Sequence, residues 1–404
     1  MLTERLEFAP ERDAEVFSAV PAAPAVFSLR SDDAQAEPYV SKTANLRRRL
    51  QRLLGPIEER TRKLNLRNRV RSIEYTPTSS EFESGFVLYK VLRSIFPQSY
   101  SHRLRFRFAP LVKLHLENQY PRASVTTRLG RLKGRALYYG PFISRTVAEK
   151  FMNDSLDFFK MRRCVDDLHP DPQFPGCIYS EMKMCQAPCF KGCSDAEYSA
   201  EVTRVQSYFD SGGESLAREF SAQRDAASSN LAFEEAANIH ARLEKLKPIL
   251  SQLPEIIRRL DRLSALIVQP CHLADSVNFF RVDGGMIYGP TIFCIQTAEH
   301  TKSQSMESRV QTVLDAFQPV KAVPAIEVME HLAMLKRWYY RSRRVGEIFL
   351  ADDKGTFPMR RVVRGIGRVL RGEGPEPQPV VPSVARDTGF GDPGGNPDPS
   401  LRSG

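Results

Sequence analysis

Four of the seven cysteines in the chain, Cys164, Cys177, Cys185 and Cys189, lie within one short basic segment, and Cys193 follows closely. In a reducing cytosol, thiols clustered at short, unequal spacings usually bind a metal ion or an iron–sulfur cluster, because thiolates suit soft and borderline metals. Four thiolates satisfy either a tetrahedral zinc ion or the corners of a four-iron cluster. The spacing predicts such a site without choosing between the two. Buried free cysteines or a disulfide are the alternative interpretation.

The charge of the chain indicates a polyanionic partner. The 404 residues include 58 Lys or Arg and 48 Asp or Glu, which gives a net charge of +10. The excess is concentrated in three stretches, at residues 47–71, 336–344 and 360–371. Binding phosphates with such patches releases counterions, so nucleic acid is the favoured partner. A solvated helical face, or attraction to anionic lipid, is the alternative.

The composition predicts a soluble, cytoplasmic protein of the α+β multidomain class. Hydrophobic residues make up 42% of the chain and charged residues 26%, as in globular proteins. No apolar run reaches the length of a membrane span, and the first residues lack the pattern of a signal peptide. The length predicts two to four compact units with cores of their own.

Local patterns divide the chain into five regions. They are a small α/β unit (20–100), a β-rich extension with the cysteine module (101–200), a helical hairpin (201–255), a further α/β unit (260–371) and a Gly- and Pro-rich tail predicted to be disordered (372–404). In the first unit, strands are predicted at 25–29, 38–40 and 70–76. A helix is predicted to begin at Leu46 and to end at Gly55, before Pro56.

The hairpin region is predicted to turn at residues 228–230, with Asn230 as the N-cap of its second arm. One face of that arm carries apolar side chains at helical spacing: Phe233, Ala236, Ala237, Leu243 and Leu246. In the segment RWYYRSRR (337–344), aromatic residues alternate with arginines. Nucleic-acid bases could stack on these rings, or the rings could form part of the core.

Several segments, taken in order, resemble the UvrC family of bacterial excinuclease subunits. PAVFSLR (24–30) and YVSKTANLRRRL (39–50) are similar to the two halves of the family's GIY-YIG motif. YPRASVTTR (120–128), YYGPF (138–142) and the cysteine series follow in the family's order. FEEAA (233–237) lies where the family has its UvrB-interacting helix, and VNFFRVDGGMIYGPTIF (277–293) resembles the start of its C-terminal region.

The resemblance implies a nuclease unit with Tyr39, Lys42 and Arg49 at catalytic positions. A base for water and cations for the developing charge are what phosphodiester cleavage at a metal requires. Leu88, however, stands at the position of the metal-binding glutamate, and leucine offers no oxygen to a hard cation. Phe27 likewise stands in place of the first-motif tyrosine. The unit is therefore expected to bind no divalent metal and to be inactive or weakened.

An active endonuclease that makes a single incision with an unrecognised carboxylate is the alternative. Glu81 and Glu83 match other acidic positions of the same helix, but they lie seven and five residues before Leu88, on a different part of its surface. The family's second nuclease, an RNase H-like domain, is expected to be incomplete, because only about a hundred residues follow Phe293. The C-terminal unit is accordingly expected to be a truncated form of the family's.

The resemblance also implies a cofactor and two partners. It favours a [4Fe–4S] cluster on the four clustered cysteines, with zinc as the alternative and Cys193 as a bystander that could replace Cys189. It implies DNA binding by the basic N-terminal surface, for which the candidate residues are Arg47, Arg48, Arg52, Arg67 and Arg69. It implies docking to UvrB through Phe233, Glu234, Ala236 and Ala237; an ordinary hairpin packed on its own protein is the alternative. A DNA-binding regulator with the cluster as a redox switch is a third hypothesis.

Overall fold

The structure is a computed structural model that describes residues 2–33, 35–56, 64–130, 135–165, 167–295, 304–320 and 323–374. The predicted disorder of the tail falls almost entirely on residues 375–404, which lie outside this range. The architecture is α+β, as predicted, with three four-stranded sheets among the described residues.

The N-terminal unit is an antiparallel sheet with helices on both faces. Its strands are β1 (Glu4–Glu7), β2 (Ala25–Arg30), β3 (Tyr39–Thr43) and β4 (Ser72–Pro77), in the order β1-β4-β2-β3. Its helices are α1 (Asp13–Ala19), α2 (Leu46–Leu54), α3 (Glu81–Ile95) and α4 (Tyr100–Leu104). Helix α2 begins where the Asn45 side chain accepts the Arg48 N–H, and its four leucines are all buried. The predicted strands and the predicted end of α2 are confirmed.

The middle unit combines a second antiparallel sheet with five helices. Its strands are β5 (Leu111–Leu114), β6 (Ala123–Thr126), β7 (Leu137–Gly140) and β8 (Arg258–Arg259), in the order β6-β5-β7-β8. Its helices are α5 (Arg145–Leu156), α6 (Ile178–Glu181), α7 (Asp195–Asp210), α8 (Glu214–Ser229) and α9 (Phe233–Ser251). Because β8 follows α9 in the chain, the helical hairpin α8–α9 is inserted between two strands of one sheet.

The C-terminal unit is a third antiparallel sheet. Its strands are β9 (Ser264–Pro270), β10 (Ser276–Asp283), β11 (Met286–Cys294) and β12 (Glu347–Leu350), in the order β11-β10-β9-β12. Its helices are α10 (Met306–Ala316), α11 (Ala325–Tyr339) and α12 (Met359–Leu370). Gly284 and Gly285 join β10 to β11 with φ angles of 56° and 85°, which glycine adopts without steric cost.

Helix α3 connects the units because both of its faces are covered. Val87 and Val91 pack with Val26 of the N-terminal sheet, whereas Phe82 and Phe86 join a large core that extends through the middle and C-terminal units. Polar contacts reinforce this packing: the Tyr89 hydroxyl donates to buried Glu330 of α11 at 2.9 Å, and Arg93 pairs with Glu327. The N-terminal unit is therefore held against α11 mainly by α3, and Tyr100 of α4 also donates to Glu330 at 2.9 Å.

The predicted hairpin is present, but its details differ from the sequence prediction. Asn230 is the C-cap of α8, and α9 begins later with Ala232 as its N-cap, so the assignment of Asn230 as an N-cap was wrong. Leu243 and Leu246 are buried together with Ile239, whereas Phe233 is 64% exposed and Ala237 is exposed. The predicted single apolar face is therefore divided: Leu243 and Leu246 pack in the core, whereas Phe233 is exposed at the start of α9.

The aromatic residues of the segment 337–344 are largely core. Trp338 and Tyr339 are buried, and the Trp338 indole N–H donates to the Val345 carbonyl at 2.9 Å. The guanidinium of Arg344 lies about 5 Å from both rings. Base stacking on these two rings is therefore ruled out in this conformation. In the described part of the chain, no helix is both long and apolar enough to cross a membrane.

Candidate functional site

Two of the three predicted catalytic side chains are in direct contact. Arg49 of α2 donates through Nη2 to the Tyr39 hydroxyl at 2.8 Å. The Tyr39 ring lies 6.1 Å from that of Phe27, which faces it from β2. The Nε atom of Arg49 is buried and has no hydrogen-bond acceptor among the described residues. A phosphate oxygen would supply the missing acceptor, because guanidinium groups bind oxyanions through paired N–H donors.

The third predicted residue, Lys42, lies on the opposite face of the sheet. Side chains alternate along β3, and Tyr39 packs with the cluster around α1 and α2, whereas Val40 packs with Leu88 of α3. The Lys42 ammonium is 3.5 Å from the Glu81 carboxylate. The structure therefore does not bring all three residues to one point.

Neither nearby glutamate of α3 replaces the missing ligand at Tyr39. Glu81 pairs with Lys42 and with arginines of the C-terminal unit. Glu83 is buried and accepts from the Ser79 N–H at 2.8 Å and from the Asn278 amide at 2.9 Å. No hydrogen bond or ion pair joins Tyr39 or Arg49 to a carboxylate within the described residues.

The four clustered cysteines are half-buried free thiols in one loop-rich segment. Burial, together with the charges of Cys164, Cys189 and Cys177, raises the pKa of Cys185 to about 11, so the four groups are electrostatic neighbours. Across the described residues, no three His, Cys, Asp or Glu side chains converge closely enough to hold one metal ion.

Two donors point at the sulfur atoms. The buried guanidinium of Arg162 donates to Cys164 Sγ at 3.3 Å, and the Ala187 N–H donates to Cys185 Sγ at 3.3 Å. Positive charge and N–H donors stabilise a thiolate. The role of Arg162 was not predicted from the sequence, although it is the arginine that opens the R-x-C pattern.

The backbone of the cysteine segment is strained. Lys183, Ala187 and Lys191 all have left-handed conformations, with φ between 56° and 59°. Each such non-glycine residue costs about 1 kcal/mol or more and persists only where surrounding contacts enforce it. Three such residues within nine positions indicate that contacts from outside the loop, and not the backbone preferences of its own residues, fix its conformation.

The predicted DNA-binding arginines have different surroundings. Arg67 donates to Asp13 at 2.5 Å and to two backbone carbonyls, and Arg47 donates to the carbonyls of Val20 and Ser18. Arg48, Arg52 and Arg69 are exposed. The last three are therefore the ones available to an external phosphate, while Arg47 and Arg67 also hold the N-terminal segment.

Comparison with known proteins finds relatives that match the middle unit and parts of the chain beyond it. Residues 110–208 match the model of the UvrC/Cho excinuclease middle domain, a stretch that contains β5 to β7, α5, the four clustered cysteines and Cys193. The chain is 25% identical over 302 residues to the UvrABC system protein C of Rickettsia bellii, over 303 residues to that of Rickettsia rickettsii and over 266 residues to that of Rickettsia canadensis. Residues 110–208 therefore form a UvrC/Cho-type middle domain, and the chain is similar to UvrC proteins over a longer stretch.

The matches to these UvrC-family relatives cover only part of each protein. The matches to the Rickettsia bellii and Rickettsia rickettsii proteins cover 72% of this chain and 45% of each relative. The match to the Rickettsia canadensis protein covers 65% of this chain and 41% of the relative. The chain thus spans less than half the length of the curated relatives it matches. No solved structure gives a significant match.

Proposed function

We propose that this UvrC-like protein binds DNA in nucleotide excision repair and that its nuclease-like unit does not cut. The observation that carries the proposal is the Tyr39–Arg49 pair, in which a buried guanidinium N–H has no acceptor among the described residues. Leu88, at the position of the family's metal ligand, packs with Val40 on the other face of β3 and offers no oxygen. Such a pair can bind a phosphate. Cleavage needs in addition a metal ion to activate water and neutralise the pentavalent phosphate, and leucine cannot hold one.

The proposal is tested by measuring binding and cutting on the same substrate. We expect fluorescence anisotropy to show binding to a lesion-bearing duplex, and gels run after incubation with Mg²⁺ or Mn²⁺ to show no nick. A nick that disappears in Tyr39→Phe would instead support the active endonuclease. Absence of any DNA binding would overturn the proposal as a whole.

Restoring the carboxylate offers a sharper prediction. Leu88 is half-buried at the surface of α3, so Leu88→Glu places a carboxylate there without opening a core cavity. The new carboxylate lies on the face of β3 that carries Val40 and Lys42. We expect this variant to gain a Mn²⁺-dependent nicking rate at least tenfold above the wild-type background, because it supplies the oxygen donor that this position lacks. Leu88→Gln, which matches its size without the charge, is the control. Equal nicking rates in both variants would show that the leucine at position 88 is not the reason the unit does not cut DNA.

We propose further that the four clustered cysteines hold an iron–sulfur cluster. The all-thiolate donor set fits such a group, and the N–H and guanidinium donors beside two sulfurs support ligation as thiolates. When bound, the cluster would cross-link the loop and stabilise the fold.

The hairpin supports a proposed interaction with a UvrB-like protein. Its tip exposes two large apolar side chains, Leu231 at 73% and Phe233 at 64%, beside exposed Glu234 and Glu235. Buried apolar anchors surrounded by polar residues supply most of the energy of many interfaces. This tip therefore has the composition of a docking site, and half-buried Ala236 would let a partner helix approach closely.

Phe233→Asp is expected to weaken capture of purified UvrB at least tenfold in a pull-down, since it buries a charge in place of an aromatic anchor. Leu273→Asp is the matched control, because Leu273 is an exposed leucine of the β9–β10 turn, far from the hairpin in the chain. Equal capture by both variants and the wild type would show that the tip is not the docking site.

A further inference from the structure

A strongly basic cleft of about 770 Å³ separates α3 from the C-terminal end of α11. Residues 103–107 form a third wall, and Gln269 of β9 also lines it. Its charged lining consists of a single carboxylate, Glu81, and eight cations: Lys42, Arg103, Arg105, Arg107, Lys336, Arg337, Arg341 and Arg343.

The single carboxylate is held by three of these cations. Glu81 accepts two hydrogen bonds from the Arg341 guanidinium, at 2.5 and 3.1 Å. Lys42 and Arg337 each lie 3.5 Å from its Oε1 atom. Its side chain is 46% exposed, so it stands at the mouth of the cleft, where an external anion can compete with it. The hydrogen bond from Arg341 lowers the pKa of Glu81, partial burial opposes this shift, and the charges of Lys42, Arg341 and Arg337 lower the pKa further.

Other polar groups in the cleft can still form ion pairs or hydrogen bonds with a ligand. Arg105, Arg107 and Arg343 are exposed and make no ion pair with any described residue. Gln269 is fully buried, and its Oε1 atom has no donor within the described part of the chain. Among the described residues, the Lys336 ammonium donates only to the Phe108 carbonyl, at 3.3 Å. Like charges at this density repel one another unless an anion is bound among them.

We propose that this cleft binds a single strand of DNA and that Glu81 is an internal counter-ion which the strand displaces. The identification of the polymer as DNA rests on the proposed function above. The volume is that of a site for a few small groups, far below what a duplex would need. Cations on three walls would follow a phosphate backbone, and half-buried Phe106 and Met334 offer apolar surface to the bases.

The test uses the full chain and a fluorescein-labelled oligothymidine, with anisotropy measured over a series of salt concentrations. The triple variant R105Q/R107Q/R343Q is expected to bind about tenfold more weakly. The slope of log affinity against log salt should become shallower by about 2, because each lost contact to a single strand removes about 0.7. The control R145Q/K150Q/R218Q removes the same charge from exposed sites on α5 and α8. It is expected to bind almost as well as the wild type.

Glu81→Gln provides a second arm with the opposite sign. Removing the internal anion frees Lys42, Arg337 and Arg341, so binding of the oligonucleotide is expected to become several-fold tighter. Unchanged or weaker binding by Glu81→Gln, or an equal loss in the cleft variant and its control, would overturn the proposal. Stronger binding of ATP than of the oligonucleotide at the cleft would also overturn it. If the wild type binds no DNA at all, the proposed function fails together with the cleft proposal. If the wild type binds DNA and the cleft variant binds it as well as the control variant does, the cleft proposal fails and the proposed function stands.

Discussion

Cys185→Ser is expected to remove all iron and sulfide from the anaerobically purified protein and to unfold the cysteine module. Burial and the neighbouring thiolates raise the pKa of Cys185 to about 11, so at neutral pH this thiol is ionised only when a cation binds it. The loop around it contains the three left-handed residues Lys183, Ala187 and Lys191, which cost about 3 kcal/mol together. Ligation of structural metals contributes about 10 kcal/mol, which exceeds this strain.

The measurements are iron and sulfide analysis, the visible absorbance of the purified protein and the rate of limited proteolysis within residues 167–193. Cys271→Ser, which removes a half-buried thiol outside the module, is the control and should retain the wild-type iron content. Cys193→Ser tests the bystander assignment and should behave like the control. Wild-type iron in the Cys185 variant would refute the four-cysteine site, and zinc without sulfide in the wild type would establish the zinc alternative.

The parts of the fold that the sequence predicts are those encoded by local pattern. Helix α2 has leucines at 46, 50, 53 and 54, a capping Asn45 and the stop at Gly55, and it forms as predicted because each signal agrees with the others. The Tyr39–Arg49 contact follows from the same local order, since β3 leads directly into α2. Asn230 failed as an N-cap because a good capping residue can equally end the preceding helix.

The cleft could not be predicted because its walls come from segments far apart in the chain. The stretch 336–344 was identified as basic, but Trp338 and Tyr339 turned out to be buried, whereas the charged groups of Lys336, Arg337, Arg341 and Arg343 line the cleft. The alternation of arginine with apolar residues from Arg103 to Phe108 was a usable signal, since in an extended segment it places the cations on one side. The sequence also did not predict that α3 packs on both faces, because an apolar pattern shows which side chains are buried but not how many elements bury them.

A second large effect is expected in the pH dependence of the free energy of unfolding. Two buried groups, Glu83 and His331, contribute to it with opposite signs. Burial raises the pKa of Glu83 from 4.5 to about 7, while bonds from Ser79, Ser80 and Asn278 act against the shift. Between these values the folded protein keeps a proton that the unfolded chain has released. The contribution of Glu83 to stability therefore falls as the pH rises from 4.5 to 7, by about 3 kcal/mol.

His331 acts in the other direction. Burial lowers the pKa of His331 from 6.5 to about 4, with Arg93 and Lys90 adding to the shift and Glu327 opposing it. Its Nδ1 atom accepts the Ile287 N–H at 2.8 Å, so the folded protein requires the neutral ring. The unfolded chain binds the extra proton between pH 4 and 6.5. Stability therefore rises with pH over that window, by about 3 kcal/mol, and opposes the contribution of Glu83.

The two contributions should nearly cancel in the wild type between pH 4.5 and 6.5, and single variants should separate them. In Glu83→Gln the amide oxygen can still accept the Ser79 N–H, and the free energy of unfolding is expected to rise with pH up to 6.5 and then to stay level. In His331→Asn the side-chain oxygen can accept the Ile287 N–H, so the opposite slope should remain, with stability falling up to pH 7. The measurement is urea denaturation at half-unit pH intervals. Parallel curves for the wild type and both variants would show that neither group titrates in the folded protein as its burial requires.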